Sequence, residues 1–196
     1  MIFFDRHKIK FGLIHKTNVD ENSWMFEKEQ VELKNIKSLK RKNEYTGVRQ
    51  LRNKLIPKNE IYYNSAGKPF LGIGNGYISV SHSVQSICLG LSDIPLGIDL
   101  EKIDKRILKV RSKYVNNEEK KFYEFDSLEE LTILWTIKEC LYKLHDIKGL
   151  SFKNDLRVIS RNSNEHCFEV KDDNGNHKHL LRHEKIGNEI LTYNIT

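Results

Sequence analysis

The chain has 196 residues, with 33 Lys and Arg against 27 Asp and Glu, which gives a formal net charge of +6 with the histidines neutral. Hydrophobic residues make up 38% and charged residues 31%, and the chain holds 9 Phe, 8 Tyr and 2 Trp, a composition that excludes an intrinsically disordered protein. The mean hydropathy is −0.58 and no apolar run approaches the ~20 residues of a membrane-spanning helix, so we expect a cytoplasmic protein without a membrane partner.

The three cysteines, Cys88, Cys140 and Cys167, lie far apart and form no CxxC pair. This pattern excludes a disulfide framework and a zinc ribbon, and the apolar start of the chain is too short for a secretory signal. The excess of basic residues favours an acidic partner, which could be a nucleic acid, a phosphate-bearing cofactor or an acidic protein. Charge alone does not choose among the three.

The first half of the chain predicts a strand, then helices, then several strands. Residues 1–18 alternate weakly between apolar and polar side chains, as a strand does. Residues 25–57 carry apolar side chains at helical spacing and predict one or two helices that end before Pro57, with a basic cluster at 34–42. Residues 60–101 consist of short apolar runs between turn residues, which predicts a succession of strands.

The second half predicts helices followed by strands. Residues 103–124 and 126–146 have helical patterns, and Ser127 three places before Glu130 predicts a capping box at the start of the second helix. The apolar runs that follow are again short and separated by turn residues. The predicted fold class is therefore α+β, with the same order of elements twice and a division near residue 100.

Asp99 and Glu101, within the segment LGIDLE at 96–101, are the first candidates for chemistry. In a strand these two carboxylates share one face, while Ile98 and Leu100 share the other. Two carboxylates so placed can chelate a hard cation such as Mg²⁺. A solvated strand face is the simpler explanation of this pair taken alone.

Glu139 and Lys143, within WTIKECLYK at 135–143, are the second candidates, because they lie one helical turn apart with Lys138 beside them. A surface ion pair is the simpler explanation. We nevertheless expect Trp135 to be mostly buried, which places Glu139 at the edge of the core, where a carboxylate needs a cation.

Two shorter segments are further candidates for chemistry, and the hydroxyls and imidazole of the first could together hold a phosphate. Ser81 and His82, within SVSHS at 79–83, combine a hydroxyl with an imidazole at the end of an apolar strand. Lys68, within GKP, stands in a rigid turn. Alone, such a histidine is more often structural and such a lysine more often faces solvent.

The order and spacing of GKP, SHS, GIDLE and WTIKECLYK resemble those of the 4′-phosphopantetheinyl transferase superfamily, in its two-lobed surfactin-synthetase-activating and enterobactin types. The segments KYVNNEE at 113–119, KGLSF at 148–152 and RKNEYTGVRQL at 41–51 add to the resemblance, which covers about residues 40–155. It implies a pseudodimer of two similar α+β lobes in one compact unit, with the active site in the cleft between them. The lobes would be residues 1–100, which bind coenzyme A, and residues 101–196, which carry the metal and the catalytic helix.

The resemblance also implies an activity, that of a holo-[acyl-carrier-protein] synthase-type transferase. Such enzymes move the phosphopantetheine arm of coenzyme A to a serine of an apo acyl or peptidyl carrier protein and release adenosine 3′,5′-bisphosphate. Asp99, Glu101 and Glu139 would hold Mg²⁺, with Mn²⁺ as the alternative ion. Glu139 would act as the base, and Lys143 would stabilise the pyrophosphate and protonate the leaving group.

Coenzyme A contacts follow from the same resemblance. They are expected from Lys68, Ser81, His82, Asp99, Lys138 and Lys143, with Arg41 and Arg49 as further phosphate contacts. Glu44 stands where the surfactin type has an arginine, whereas Arg49 matches an arginine of the enterobactin type. Carrier proteins of this class are acidic, which suits the basic balance of the chain, and we expect a monomer.

Three alternatives remain open from the residues alone. A nucleic-acid-binding module would suit the charge, but no aromatic side chains are interleaved with the basic cluster as stacking platforms, so we expect no nucleic-acid partner. A different Mg²⁺-dependent phosphotransferase could use the same carboxylates, although the chain has no nucleoside triphosphate loop. A catalytically silent homologue is the third alternative, and the intact set of acids and Lys143 argues against it.

Overall fold

The computed structural model describes residues 1–20, 23–72, 74, 76–147, 149–173 and 175–195. The chain divides into two compact units, Met1–Leu96 and Gly97–Thr196. Lys148, the first residue of the predicted motif at 148–152, lies outside the described residues.

The first unit is an antiparallel four-stranded sheet with two helices and a short separate hairpin. Its elements are β1 (Ile2–Arg6), β2 (Ile9–His15), α1 (Glu27–Asn35), α2 (Leu39–Leu55), β3 (Tyr62–Tyr63), β4 (Pro69–Phe70), β5 (Tyr77–His82) and β6 (Ser86–Ser92). The strand order is β1-β2-β6-β5, and β3 pairs with β4 alone. His7 and Lys8 turn the chain with φ of 48° and 66°, so the single strand predicted over 1–18 is in fact two strands joined by a tight turn.

Helix α2 holds this unit together by packing its apolar face on the sheet. Val48 and Leu51 are buried against Ile14, Ile87 and Leu89 of the strands. The Ser38 hydroxyl caps the helix by accepting a hydrogen bond from the Arg41 amide, 3.4 Å away. The helix ends before Pro57, as predicted.

The second unit is an antiparallel five-stranded sheet covered on one face by a long helix. Its elements are β7 (Ile98–Lys102), α3 (Ile107–Tyr114), α4 (Leu128–His145), β8 (Leu156–Asn162), β9 (Glu165–Asp172), β10 (Gly175–Ile186) and β11 (Glu189–Asn194). The strand order is β7-β11-β10-β9-β8. The helix predicted over 103–124 is shorter than expected, because Val115 is extended and a separate 3₁₀ helix follows at Asn117–Lys121.

Helix α4 begins after Ser127, whose hydroxyl accepts a hydrogen bond from the Glu130 amide at 3.3 Å. The predicted capping box is wrong in its second half, because the Glu130 carboxylate forms a two-point ion pair with Arg161 instead. The helix packs across β7 and β11. Its buried apolar side chains form the centre of the core of this unit, together with Tyr114, Leu156, Phe168, Val170, Leu181 and Ile190.

Gly97 lets the start of β7 approach α4 closely. A Cβ at this position would lie 2.2 Å from the Cys140 carbonyl oxygen and 3.1 Å from the Leu144 Cβ, so a side chain there would clash with the helix backbone. The Cys140 thiol donates to the Gly97 carbonyl oxygen at 3.1 Å. The position of β7 relative to α4 is therefore fixed at Gly97, two residues before Asp99.

The α+β class predicted from the sequence is confirmed. The two units meet in the chain between Leu96 and Gly97, slightly before the predicted boundary, so Asp99 belongs to the same unit as Glu139. The pseudodimer and its cleft remain predictions. Within the described residues, no helix is both long and apolar enough to cross a membrane.

Candidate functional site

Asp99 and Glu101 project from the face of β7 that meets α4. Asp99 pairs with Thr192 of β11, and the Thr192 hydroxyl lies 2.7 Å from the Thr136 hydroxyl of α4. Neighbouring residues at one pairing position point to the same face of a sheet. The alternation predicted for this segment therefore holds, and it directs both carboxylates towards the helix that carries Glu139 and Lys143.

Lys143 is bound to β7 at two points. Its Nζ donates to Asp99 Oδ1 at 2.7 Å and to the Ile98 carbonyl oxygen at 3.0 Å. Burial alone lowers the pKa of Lys143, but the Asp99 and Glu139 charges outweigh it and leave the pKa raised. The ammonium group therefore stays charged, although only 29% of the side chain is exposed.

Glu101 and Glu139 share this environment and are affected by the same charges. Burial and then the Asp99 charge raise the pKa of Glu101 to about 7, and Glu139 adds to the effect. Burial and the Asp99 charge likewise raise the pKa of Glu139 to about 7, while Lys143 opposes the rise. Trp135 donates a hydrogen bond to Glu101. The structure thus brings together the three acids and the lysine that the sequence singled out.

Whether these acids suit a metal ion is a question of their chemistry. In the described part of the chain, no group of three or more His, Cys, Asp or Glu side chains stands in a metal-binding arrangement, and Lys143 engages one oxygen of Asp99. Carboxylate oxygens are nevertheless the ligands that Mg²⁺ takes. Burial and then the Asp99 charge raise the pKa values of Glu101 and Glu139, and a divalent cation bound beside them would offset their negative charge. The donor set therefore fits Mg²⁺ in kind.

Lys138 does not have the place that its predicted role requires. It is completely buried, and its Nζ lies 2.5 Å from Glu119 and donates to the Tyr114 and Phe152 carbonyl oxygens, both at 2.7 Å. The prediction that Lys138 contacts the phosphates of coenzyme A is therefore wrong, because its donors are used inside the core. The spacing Leu134, Ile137, Lys138, Leu141 on the apolar stripe of α4 could have revealed this.

A cavity of about 730 Å³ lies in the first unit. Its lining includes Arg41, Arg49 and His82, three of the residues predicted to contact coenzyme A. The remaining lining residues are Asn35, Ile36, Lys37, Ser38, Glu44, Tyr45, Val48, Tyr63, Gly67, Pro69 and Val80. Lys68 lies between two of them, in the β3–β4 hairpin, and its amide donates to Asn64 Oδ1 at 2.8 Å.

Arg49 forms a fixed part of the cavity wall. Only 1% of it is exposed, and its guanidinium stacks 3.5 Å above the Tyr45 ring. Its Nε donates to Glu29 Oε1 at 3.3 Å and its Nη1 to the Tyr63 hydroxyl at 3.0 Å. A rigid, oriented guanidinium of this kind can donate to a phosphate with little loss of side-chain entropy.

Glu44 is a buried acid in the same wall. Its Oε1 accepts from Lys16 Nζ at 2.6 Å and lies 3.6 Å from His82 Nδ1 and 3.9 Å from Lys40 Nζ. Lys16 follows β2 and is far from α2 in the sequence, so no spacing rule indicated it.

Ser81 is separated from this cavity. Strand alternation puts it on the opposite face of β5 from Val80 and His82, which line the cavity, and Ser81 is only 4% exposed. That Ser81 contacts a phosphate of coenzyme A stays a prediction, and Ser81 does not line this cavity.

Two comparisons with known proteins bear on this site. The family model for the 4′-phosphopantetheinyl transferase superfamily matches residues 95–193, half of the chain. That range includes β7 and α4 with all three acids and Lys143. The chain is also similar to the 4′-phosphopantetheinyl transferase gsp of Aneurinibacillus migulanus, at 29% identity over 94 residues. The match covers 45% of this chain and 39% of that relative.

Proposed function

The chain belongs to the 4′-phosphopantetheinyl transferase superfamily, and from that premise we propose that it transfers the phosphopantetheine arm of coenzyme A to a serine of an apo carrier protein. The observation that carries the proposal is the meeting of Asp99, Glu101, Glu139 and Lys143 on one face of β7 and α4, inside the region that the family model matches.

The three acids would hold Mg²⁺. When bound, the ion neutralises negative charge on the pyrophosphate of coenzyme A as the phosphorus–oxygen bond breaks. Two observations support this assignment: burial and then the Asp99 charge raise the pKa values of Glu101 and Glu139 to about 7, and carboxylates are the usual protein ligands of this ion. Mn²⁺ has similar ligand preferences and is the alternative.

Glu139 would accept the proton of the carrier serine. A carboxylate near the serine hydroxyl can take its proton directly or through a water molecule, which is the role of a general base. The serine oxygen forms a bond to the phosphorus next to the pantetheine arm, and the bond from that phosphorus to the bridging oxygen breaks. Adenosine 3′,5′-bisphosphate leaves with the bridging oxygen.

Lys143 would act on that leaving group. Its ammonium is kept charged by Asp99, so it can donate a hydrogen bond to the oxygen on which negative charge develops. Interactions that strengthen as the bond breaks lower the barrier without tightening the binding of coenzyme A.

The cavity of the first unit would take the adenosine end of coenzyme A. Arg41, Arg49 and His82 line it, and Lys68 stands in the hairpin that contributes three of its lining residues, Tyr63, Gly67 and Pro69. Three basic side chains around one cavity suit a phosphorylated nucleotide.

The carrier protein would be an acidic acyl or peptidyl carrier. The net charge of +6 favours the approach of such a partner. We further propose that the protein acts as a monomer in the cytoplasm.

The test is to incubate the protein with coenzyme A, Mg²⁺ and a panel of apo acyl and peptidyl carriers, and to measure the intact mass of each carrier. We expect at least one carrier to gain the phosphopantetheine arm, and no gain when the divalent ion is chelated. A carrier whose target serine is replaced by alanine is the control. If the folded protein modifies no carrier in the panel with either Mg²⁺ or Mn²⁺, the proposal is wrong.

A further inference from the structure

Three histidines and one aspartate meet in the second unit, outside the candidate active site. His145 is the last residue of α4, His177 and His179 lie two residues apart on β10, and Asp172 is the last residue of β9. These four residues form a histidine cluster, to which the proposed transfer reaction assigns no role.

The sheet directs three members of the histidine cluster to the face that α4 covers. His177 pairs with Val170 and His179 pairs with Phe168, and both partners are completely buried in the core beneath α4. Residues at one pairing position point to the same face of a sheet. Asp172 follows Val170 by two residues, so strand alternation puts it on this face as well.

The four side chains are connected by short separations. His145 Nε2 lies 2.7 Å from His179 Nε2, and His177 Nε2 lies 3.3 Å from Asp172 Oδ1. The ring centre of His145 is 4.7 Å from that of His179 and 5.9 Å from that of His177. The end of the helix and the two strands therefore contribute to one continuous group.

These separations are close to those around a tetrahedral metal ion. Zn²⁺ holds imidazole nitrogen and carboxylate oxygen at about 2.0–2.2 Å, which puts two ligand atoms about 3.3 Å apart and two imidazole ring centres about 5 Å apart. The His177–Asp172 separation already agrees, and the two ring separations lie on either side of the expected one. The four groups do not yet surround a common point, and the main change needed is to open the hydrogen bond between His145 and His179.

A hydrogen bond between helix and strand does not account for the whole cluster. That bond needs one imidazole N–H and one nitrogen lone pair, which His145 and His179 supply. It does not require a third histidine on the same face, or the side chain of Asp172, which is only 7% exposed.

The surroundings of Asp172 favour a cation. Asp172 lines a cavity of about 240 Å³ whose other charged lining residues are Asp155, Asp173 and Lys171. Three carboxylates against one ammonium group leave an excess of negative charge beside the cluster.

We propose that the histidine cluster binds one Zn²⁺ ion, with ligands from His145, His177, His179 and Asp172. The ion would join β9 and β10 to the end of α4. Imidazole nitrogen suits Zn²⁺, whereas Mg²⁺ takes oxygen ligands, so this site differs in kind from the carboxylates of β7 and α4. The inference does not rest on the proposed function.

Titration calorimetry with Zn²⁺ tests the inference, with Mg²⁺ present in excess to compete for carboxylate sites elsewhere. The proteins compared are the wild type and four variants: His145→Gln, His177→Gln, His179→Gln and Asp172→Asn. The matched control is His7→Asn, because His7 is exposed in a turn of the first unit and asparagine tolerates its φ of 48°. Thermal unfolding in a chelator shows whether each variant is folded.

We expect the wild-type protein to bind one Zn²⁺ ion with a Kd below about 10 μM. Each histidine variant of the cluster should bind Zn²⁺ at least about tenfold more weakly, and Asp172→Asn at least about threefold more weakly, because each loses a ligand. His7→Asn should stay within about threefold of the wild type. Zn²⁺ should raise the Tm of the wild type and of His7→Asn more than that of His177→Gln.

An absence of Zn²⁺ binding to the wild-type protein below about 100 μM would overturn the inference, whether or not the variants fold. A folded His145→Gln with wild-type affinity would also overturn it, since the histidines of β10 would then bind the ion without the helix. His177 has a side chain that is 42% exposed, so His177→Gln should fold. Wild-type affinity in that variant would contradict the site as well.

Discussion

Lys143 of α4 and Asp99 of β7 form an ion pair of 2.7 Å in which the lysine also donates to the backbone of the strand. The pair joins the two elements that carry the candidate reacting groups. Burial raises the pKa of both Glu101 and Glu139, and the pair acts on them as well, because Asp99 adds to the rise while Lys143 opposes it. Changes at either residue should therefore affect the chemistry more than the fold.

Replacing Asp99 with Asn should reduce the transfer of phosphopantetheine by at least about 100-fold, because a metal ligand and the partner of Lys143 are lost together. Intact-mass kinetics measure the rate, and calorimetry measures the affinity for Mg²⁺, which should also fall. Asp104→Asn is the matched control, since that acid lies just beyond β7 in an exposed pair with Arg106. Normal turnover by Asp99→Asn would contradict the metal assignment.

Replacing Lys143 with Ala should lower kcat by about 100-fold or more while changing the Kd for coenzyme A by less than about fivefold, because the charge that it stabilises is largest in the transition state. Single-turnover kinetics and calorimetry separate the two quantities. Lys113→Ala, at an exposed position of α3, removes the same charge elsewhere. An effect confined to coenzyme A binding would argue against a role in bond breaking.

Replacing Lys138 with Met should destabilise the protein by about 3–5 kcal/mol, because Glu119 would remain buried without its partner. Denaturant unfolding measures the loss. The double variant Lys138→Met, Glu119→Gln should recover part of the stability, since no uncompensated charge is left in the core. Coenzyme A binding is measured without denaturant. Under that condition the folded Lys138→Met protein should bind coenzyme A with the same affinity as the wild-type protein. A selective loss of that binding would restore the discarded phosphate role.

The stability of the second unit should depend on pH through His166. Burial, then His183 and Arg161, lowers the pKa of His166 from 6.5 to about 3. Its Nδ1 lies 2.8 Å from the Tyr123 hydroxyl and its Nε2 lies 2.7 Å from His183 Nδ1. Between about pH 6.5 and pH 3 the unfolded chain therefore binds a proton at His166 that the folded protein does not bind. The stabilising contribution of neutral His166 to the free energy of unfolding is complete above about pH 6.5 and is lost as the pH falls towards 3.

Thermal unfolding between pH 7.5 and pH 4 measures this dependence. In His166→Gln the decrease in Tm with falling pH should be smaller, although the variant itself is less stable at neutral pH. His183 has a lowered pKa for the same main reason, burial, and should account for part of the remaining slope. An equal slope in the wild-type protein and the variant would contradict the assignment.

Replacing Gly97 with Ala should destabilise the protein by about 1–3 kcal/mol, the usual range for a side chain forced into a packed space. The added Cβ would stand 2.2 Å from the Cys140 carbonyl oxygen, which is backbone and cannot turn aside. Because β7 would have to move from α4, the transfer rate should fall as well. Tm and rate measured together check both effects, and an unchanged Tm would show that the two elements are less tightly packed than described.

The sequence predicted the strand and the helix that carry this site, but it did not predict which charged residues form ion pairs with one another. Period-2 alternation placed Asp99 and Glu101 on one face of a strand, and helical spacing placed Glu139 and Lys143 on one face of α4. Those are local rules, and they hold. The burial of Lys138 against Glu119 and the pairing of Glu44 with Lys16 depend on contacts between distant segments, which no local pattern encodes. The same alternation puts Ser81 and His82, which are successive residues of β5, on opposite faces of that strand.

The environment of Cys140 has a practical consequence for labelling experiments. Burial raises the pKa of its thiol, and the thiol donates a hydrogen bond to the adjoining Gly97 carbonyl oxygen, so the nucleophilic thiolate scarcely forms. Cys88 is also buried. All three cysteines lie in the described part of the chain, and among them Cys167 on β9 is the one that is partly exposed to reagents. A maleimide fluorophore should therefore attach to the native protein at a single position, leaving the face of β7 and α4 unmodified.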